Sequence, residues 1–238
     1  MALIPFRIPE GDAQTFAQDW VKRRIAAPGD LSKVVAGARV AGIYVPFWTF
    51  DSQEAIDYWA KYKVRRNKRT IVRNTSGALS MQFDDMLVPA SRHVTPLIRD
   101  GILHDFYPSR LRPYRAGYLA GFAAEQHHQS VSDGLRASAD DKRLLIRNRI
   151  KRHINKSGVH GIRYNTDTTG IHYRRILLPV WILHYQYRGK ANKVVVCGMQ
   201  GRTFGERPFS QWKLAGYAAL LSALAIGFGL FWGAAGLL

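Results

Sequence analysis

Cysteine is almost missing from this sequence, which has a single one, Cys197, among 238 residues. One cysteine excludes an internal disulfide framework and a cysteine-rich zinc site, and it is typical of a reducing compartment. Cys197 lies in a predicted valine-rich strand, where alternation makes it a small buried residue rather than a nucleophile. Apolar residues make up 47% of the chain, which excludes a disordered or collagen-like protein.

Residues of negative charge are also scarce. The chain has 17 Asp and Glu against 35 Lys and Arg, which gives a formal net charge of +18. All of the excess positive charge lies in residues 1–213, since residues 214–238 contain no Asp, Glu, Lys, Arg or His. A surplus of this size is typical of proteins that contact polyanions or an anionic membrane surface.

The motifs of several enzyme classes are missing as well. The sequence has no Gly-x-x-x-x-Gly-Lys-Ser/Thr phosphate loop, no Gly-x-Ser-x-Gly and no His-Glu-x-x-His. Glu125 and His128 have the Glu-x-x-His spacing of a di-iron helix, but such a site needs this motif twice. We therefore predict a protein that is not an enzyme and has no catalytic residue, metal or cofactor. Five acidic residues are expected to pair with arginines rather than to bind a metal ion: Asp51, Glu54, Asp57, Asp84 and Asp85.

Residues 211–238 are predicted to form a transmembrane anchor. A helix over the 25 uncharged residues would be about 37 Å long, which exceeds the bilayer hydrocarbon core of about 30 Å. The alternative, a buried core helix, is disfavoured because the segment is apolar on all sides. Trp212, Lys213, Tyr217 and Trp232 are the expected interfacial anchors. Gly229, Gly233 and Gly236 have spacings that allow close helix packing, although they also fit simple Gly/Ala filler.

The charge distribution predicts how the chain is oriented. Because Lys and Arg are retained on the cytoplasmic side, we expect residues 1–213 in the cytoplasm and a single pass through the inner (plasma) membrane. The first ten residues have neither the basic nor the apolar region of a secretory signal. These features predict a tail-anchored protein.

Hydrophobic periodicity predicts an α+β fold in which antiparallel strands and hairpins pack with helices. Two short helices are expected, capped by Asp12 and Asp30. A weak internal echo, for which chance is as good an explanation, predicts two related halves, 1–110 and 111–210. The remaining predicted elements are strands at 41–50 and 78–83, a helix-rich stretch at 116–156, and a hairpin of 176–187 with 193–197.

Two basic runs are the strongest candidate contact surfaces. They would attract either anionic lipid head groups or nucleic-acid phosphates, unless they are simply solvated faces. A membrane anchor would place them near the negative cytoplasmic leaflet, so we expect lipid first and nucleic acid second. The candidate contact residues are Lys61, Lys63, Arg65, Arg66, Lys68, Arg69, Arg73, Lys142, Arg143, Arg147, Arg149, Lys151 and Arg152.

The surroundings of the two runs leave both ligands open. Tyr58, Trp59 and Tyr62 flank the first run, either as a stacking site for bases or as ordinary strand residues. The second run lies on a predicted helix with an isoleucine stripe at 146, 150 and 154, and Gly158 is a plausible stop for this helix.

Seven short segments carry a resemblance: 44–51 (YVPFWTFD), 83–91 (FDDMLVPAS), 113–114 (PY), 119–125 (LAGFAAE), 177–181 (LLPVW), 185–190 (YQYRGK) and 205–210 (GERPFS). They resemble a family of uncharacterised bacterial proteins described as zinc-ribbon proteins of the transcription-factor-B type, primosomal-protein-like or helicase-like. The resemblance implies an α+β domain, often with a membrane segment at its C-terminus. The family's cysteine ribbon would precede Pro5 and is absent here, so zinc binding does not carry over. The helicase description has no support without a phosphate loop.

These observations predict a non-enzymatic, membrane-anchored adaptor, scaffold or accessory subunit of a membrane protein complex. Its basic domain would contact anionic lipid or an acidic partner, and its anchor would pack against other membrane subunits. The alternative from another class is a membrane-tethered nucleic-acid-binding protein. A third possibility is an enzyme with a metal site at Asp84, Asp85, Glu125 and His128.

Overall fold

The computed structural model describes residues 1–66, 69–92, 94–206 and 208–235. It confirms the predicted mixture of helices with a large sheet. The helices are α1 (Glu10–Lys22), α2 (Leu31–Ala36), α3 (Pro96–Leu103), α4 (Val131–Ile154) and α5 (Gln211–Ala235). The strands are β1 (Ala2–Leu3), β2 (Arg39–Arg66), β3 (Arg69–Pro89), β4 (Arg112–Pro113), β5 (Ala123–Ala124), β6 (His160–Tyr187), β7 (Lys190–Cys197) and β8 (Thr203–Gly205).

The chain divides into two compact units, each made of two segments. The first unit contains Met1–Pro5 and Ile43–Pro179, and the second contains Phe6–Gly42 and Val180–Leu238. The predicted boundary between residues 110 and 111 lies inside the first unit. The duplication of two related halves stays a prediction.

A long antiparallel hairpin of β2 and β3 dominates the first unit. Its register runs from Phe47 opposite Pro89 to Arg66 opposite Arg69, with a β-bulge between Phe50 and Ser52. Side chains alternate between the two faces of a strand, so every second residue of β2 points to the same side. β2 also pairs with β6 and, in parallel, with the short β5. β1 runs parallel to β6, and β4 is antiparallel to β1.

Helix α4 supplies the other half of the core of this unit. Ile146 and Ile150 are buried, as the predicted isoleucine stripe requires, and Ile154 packs at the edge of the same cluster. Their partners on the sheet come from alternate positions of β2 together with one residue each of β3 and β6. These partners are Ile56, Tyr58, Ala60, Phe83 and Ile162.

The ends of α4 differ from the sequence prediction. Ser130 and Asp133 form a reciprocal capping box, which starts the helix at Val131 rather than near residue 116. Residues 116–119 form a 3₁₀ turn instead, and Gly121 has a positive φ of 84° that α-helical backbone does not allow. The helix ends at Asn155, which adopts the left-handed conformation with φ 47°, three residues before Gly158.

The second unit packs α1 against α2 and against β7 and β8. α1 begins at Glu10, so Asp12 lies in its first turn and does not cap it. Asp30 does precede α2, but its side chain makes no capping hydrogen bond and accepts one from the Tyr187 hydroxyl at 3.0 Å. The buried residues of α1 are Ala13, Ala17 and Val21.

The predicted hairpin of the second unit is confirmed. β6 and β7 pair from Val180 opposite Cys197 to Tyr187 opposite Lys190. The two turn residues, Arg188 and Gly189, both have positive φ, 51° and 75°, as a two-residue hairpin turn requires. Cys197 is fully buried, as predicted.

Helix α5 is long and apolar enough over Gln211–Trp232 to cross a membrane. Every residue of this span is exposed, which distinguishes it from the core helix of a globular domain. The predicted anchors Trp212, Lys213, Tyr217 and Trp232 lie in this span. A Cβ at Gly229 would meet no other atom within 4 Å, so this position offers an open helix face. Gly233 also lies in α5, and Gly236 lies outside the described residues.

Candidate polyanion-binding surface

The first basic run lies at the far end of the β2–β3 hairpin. Lys61, Lys63 and Arg65 occupy alternate positions of β2 and are exposed, so they point to the same face of the strand. Arg69 and Arg73 are exposed on β3 opposite Arg66 and Tyr62, so they point to the other face of the hairpin. The side chain of Arg66 and the whole of Lys68 lie outside the described part of the chain. We call the exposed cations of this run and of the next one the basic surface.

The structure brings the loop that follows the second basic run against the first run. After α4 the chain turns toward β2, where the Lys63 amide donates a hydrogen bond to the Ser157 carbonyl at 3.0 Å. The aliphatic stem of Lys63 lies against Gly158, whose φ is 62° and whose added Cβ would come within 3.0 Å of Lys63 Cδ. This contact fixes the C-terminal end of α4 beside the hairpin, although the runs are separated by about seventy residues.

The cations of α4 form the other part of the basic surface. Arg143 pairs with Asp140 at 3.2 Å one turn away, an exposed contact of small energetic value. Arg147 donates a hydrogen bond to the Ile162 carbonyl at 3.4 Å, which ties this side of the helix to β6. The candidate cations that are exposed on this helix are Arg143, Arg147, Arg149, Lys151 and Arg152.

Lys142 does not belong to the basic surface, contrary to the sequence prediction. Its side chain is only 15% exposed, and its ammonium group lies 2.8 Å from Oε1 of Glu54, which is 2% exposed. The same ammonium group donates to Ser52 Oγ at 2.7 Å, and Thr168 Oγ1 donates to the other Glu54 oxygen at 2.6 Å. Lys142 therefore joins α4 to β2 inside the unit.

Sequence reasoning missed this buried pair, although one signal for it exists. Glu54 occupies the same strand face as Ile56 and Tyr58, and an acid on the core face of a strand needs a cationic partner. This rule predicts a buried lysine or arginine as the partner of Glu54, but it does not identify the residue.

Trp59 lies on the outer face of the hairpin, where it is 47% exposed. It borders a cavity of about 450 Å³ whose wall includes the cations Lys61 and Arg163. The remaining wall is polar or small, from Asn74, Thr75, Ser76 and Gly161. An exposed indole between two cations is the arrangement in which a planar base can stack while its phosphates are neutralised.

Three other acidic candidates, Asp51, Asp84 and Asp85, are held in ion pairs or hydrogen bonds, whereas Asp57 is exposed on β2. Arg174 forms ion pairs with Asp85 and, at 3.9 Å, with Asp51, and the Asp85 amide donates to Asp51 Oδ1 at 2.7 Å. The predicted pairing with arginine therefore holds for these two residues, whereas Glu54 pairs with lysine. Burial raises the pKa of Asp85, while the Arg174 guanidinium acts to lower it. Asp84 accepts a hydrogen bond from Gln82 Nε2 at 2.8 Å.

The Glu-x-x-His spacing predicts that Glu125 and His128 share one helix face. This prediction is wrong, because neither residue lies in a helix. Both residues lie between β5 and α4, where Glu125 accepts a hydrogen bond from Ser91 and the His128 amide donates to the Ala90 carbonyl at 2.9 Å. Their neighbour His127 packs edge-on against Trp48. Burial, together with Arg175, lowers the pKa of His127.

The class of protein defined so far is an α+β protein with a basic surface and one apolar helix long enough to span a membrane. No family model matches the chain, and no solved structure matches it. It is similar to the uncharacterized protein YdjG of Bacillus subtilis (strain 168), with 23% identity over 227 residues. This match covers 90% of the chain and about 65% of the length of YdjG. The resemblance to zinc-ribbon proteins stays a prediction.

Proposed function

We propose that this chain is a non-enzymatic adaptor, scaffold or accessory subunit held at the inner membrane by α5, whose basic surface contacts anionic lipid or an acidic partner. The observation that carries the proposal is the contact of Lys63, in the first basic run, with the loop that follows the second run, in a chain whose apolar helix is exposed over Gln211–Trp232.

Charge supports the membrane side of this proposal. An anionic leaflet attracts each nearby Lys or Arg by about 1 kcal/mol, and this attraction extends over roughly a Debye length of 10 Å. Retention of Lys and Arg on the cytoplasmic side supports a single pass with the units before α5 in the cytoplasm.

The state of the carboxylates supports a non-enzymatic role. General acid or base catalysis needs a carboxyl group that can reach a substrate proton. Glu54 is buried between Lys142 and Thr168, and Asp85 is paired with Arg174. These side chains stabilise the fold, and an adaptor requires nothing more of them.

The test uses the full chain in phosphatidylcholine nanodiscs, mixed with separate vesicles that contain phosphatidylglycerol. Co-flotation with these vesicles is expected, and it should be lost at about 1 M salt, where the Debye length is about 3 Å. Neutralising Lys61, Lys63 and Arg65 with glutamine should abolish it. The matched control removes three exposed charges of the second unit, with Lys33→Gln, Arg39→Gln and Lys190→Gln.

Trp59 favours the second candidate function, a membrane-tethered nucleic-acid-binding protein. The same nanodiscs would then bind single-stranded DNA or RNA and ignore the anionic vesicles. Trp59→Ala should reduce such binding by about tenfold or more, because base stacking on one aromatic ring contributes about 1–3 kcal/mol. Lipid binding should be unaffected by this substitution. Binding of vesicles without binding of nucleic acid would exclude the second candidate.

If the basic surface binds an acidic protein instead of lipid, the nanodisc test gives a third result. The nanodiscs would then bind neither vesicles nor nucleic acid, and a pull-down in mild detergent would recover a partner with the wild type. The triple glutamine variant of the hairpin should lose this partner, while the matched control should keep it. Recovery of the same partner by both variants would contradict a role for the basic surface.

A further inference from the structure

A cavity in the second unit lies beside the first turn of α5 and is not used by the proposed function. Its volume is about 490 Å³, within the range of small-ligand pockets. The wall is largely apolar, from Trp20, Ile25, Leu31 and Phe209, while Arg23 and Arg24 stand at the same loop.

Two hydrogen bonds attach this cavity to the start of the apolar helix. The Ser210 amide donates to the Ala26 carbonyl at 2.9 Å, and the Lys213 ammonium group donates to the Ala27 carbonyl at 2.7 Å. The loop that forms the cavity is therefore held at the first turn of α5. If α5 spans the bilayer, this turn lies at the head-group level of one leaflet.

Large apolar side chains are exposed at this level. Ile25 is 72% exposed, Phe209 is 60% exposed, and Trp212 in the first turn of α5 is 88% exposed. Contact of these side chains with water is unfavourable, because burial of apolar surface stabilises by about 25 cal/mol per Å². Their clustering beside an apolar helix indicates that acyl chains rather than water cover them.

The cations of the cavity complement a phosphate. The Arg24 guanidinium lies 5.1 Å from the centre of the Trp20 ring, which keeps it at the cavity. Arg23 is exposed beside it. A guanidinium group offers paired donors that match phosphate oxygens, so two adjacent arginines favour an anionic head group over a neutral one.

We infer that this cavity binds one anionic phospholipid of the surrounding leaflet, with the phosphate on Arg23 and Arg24 and acyl carbon on Ile25, Leu31 and Phe209. This inference rests on the proposed membrane anchoring by α5. It assigns a lipid site to the second unit that is separate from the basic surface of the first unit.

Native mass spectrometry measures which lipid stays bound to the protein. The full chain is released from nanodiscs that contain equal amounts of phosphatidylglycerol and phosphatidylcholine. The wild type should retain phosphatidylglycerol preferentially, and Arg23→Gln with Arg24→Gln should reduce that preference by about tenfold. The matched control, Lys33→Gln with Arg39→Gln, removes the same charge from exposed positions outside the cavity and should keep the preference. Equal preference in both double variants would overturn the inference.

Spin labels separate a failure of the cavity from a failure of the anchor. A nitroxide at Ile25→Cys should be shielded from a water-soluble relaxation agent in phosphatidylglycerol nanodiscs, and a nitroxide at Leu224→Cys in α5 should be shielded too. A shielded Leu224 label with a water-exposed Ile25 label would overturn the lipid site while α5 remains inserted. Water exposure of both labels would overturn the anchoring itself. If free inorganic phosphate protects Arg23 and Arg24 from chemical modification in detergent without lipid, the cavity is a phosphate site and the lipid inference is overturned.

Discussion

At the scale of single residues, the buried pair of Lys142 and Glu54 has the largest expected effect on stability. Lys142→Met leaves the Glu54 carboxylate buried without its cation, which should lower the free energy of unfolding by about 3–5 kcal/mol. Denaturant unfolding of the full chain in detergent, followed by circular dichroism, measures this loss. Lys151→Met is the matched control, because Lys151 is exposed on the same helix.

A double substitution tests whether the missing partner causes this loss. Lys142→Met with Glu54→Leu should be more stable than Lys142→Met alone, because no buried charge remains unpaired. Equal stability of Lys142→Met and Lys151→Met would show that the ion pair contributes nothing.

His127 should make stability depend on pH. Its folded-state pKa lies below the ordinary value of 6.5, because burial and Arg175 disfavour the charged ring. Between that lowered pKa and 6.5 the unfolded chain binds more protons than the folded one, so stability falls as the pH drops below about 6.5. Thermal unfolding at several pH values should show this decrease in the wild type and a smaller one in His127→Gln. The exposed His172→Gln should behave as the wild type, and identical profiles for all three would contradict the assignment.

At the scale of elements, the loop that follows the second basic run contacts the first run at Lys63 of β2. Gly158 and Gly170 have nearly the same φ, 62° and 61°, but only Gly158 lies against another side chain, that of Lys63. Alanine at either position costs about 1–2 kcal/mol of backbone strain. Gly158→Ala should also displace the loop, so it should lose more stability and more vesicle binding than Gly170→Ala. Unfolding and co-flotation measure the two effects, and equal losses would contradict a joining role for Gly158.

The elements also show what the sequence can predict. The β6–β7 hairpin is predictable because its turn, Arg188 and Gly189, is local in sequence. The structural role of Lys142 is not predictable, because its partner Glu54 is 88 positions away and only the fold joins them. The end of α4 is also missed, because Asn155 takes the left-handed conformation more often assigned to glycine. The cavity beside the first turn of α5 escapes prediction because it needs α1, its following loop, Leu31 of α2 and residues 208–209 together.

At the scale of the whole molecule, the proposed anchoring by α5 determines where we expect the charge to act. A net charge of +18 on a freely diffusing protein would favour nucleic acid as a ligand. A membrane anchor instead keeps the same charge close to an anionic surface, where attraction requires no further encounter. The proposed function therefore requires that α5 is inserted in the bilayer.

Flotation of alkali-washed membranes tests this most directly. Membranes from cells that express the full chain are washed at high pH, which releases peripheral proteins, and are then floated in a density gradient. The chain should float with the lipid fraction, because α5 is held by its apolar surface rather than by charge. Recovery of the chain in the soluble, non-floating fraction would contradict the proposed membrane anchor.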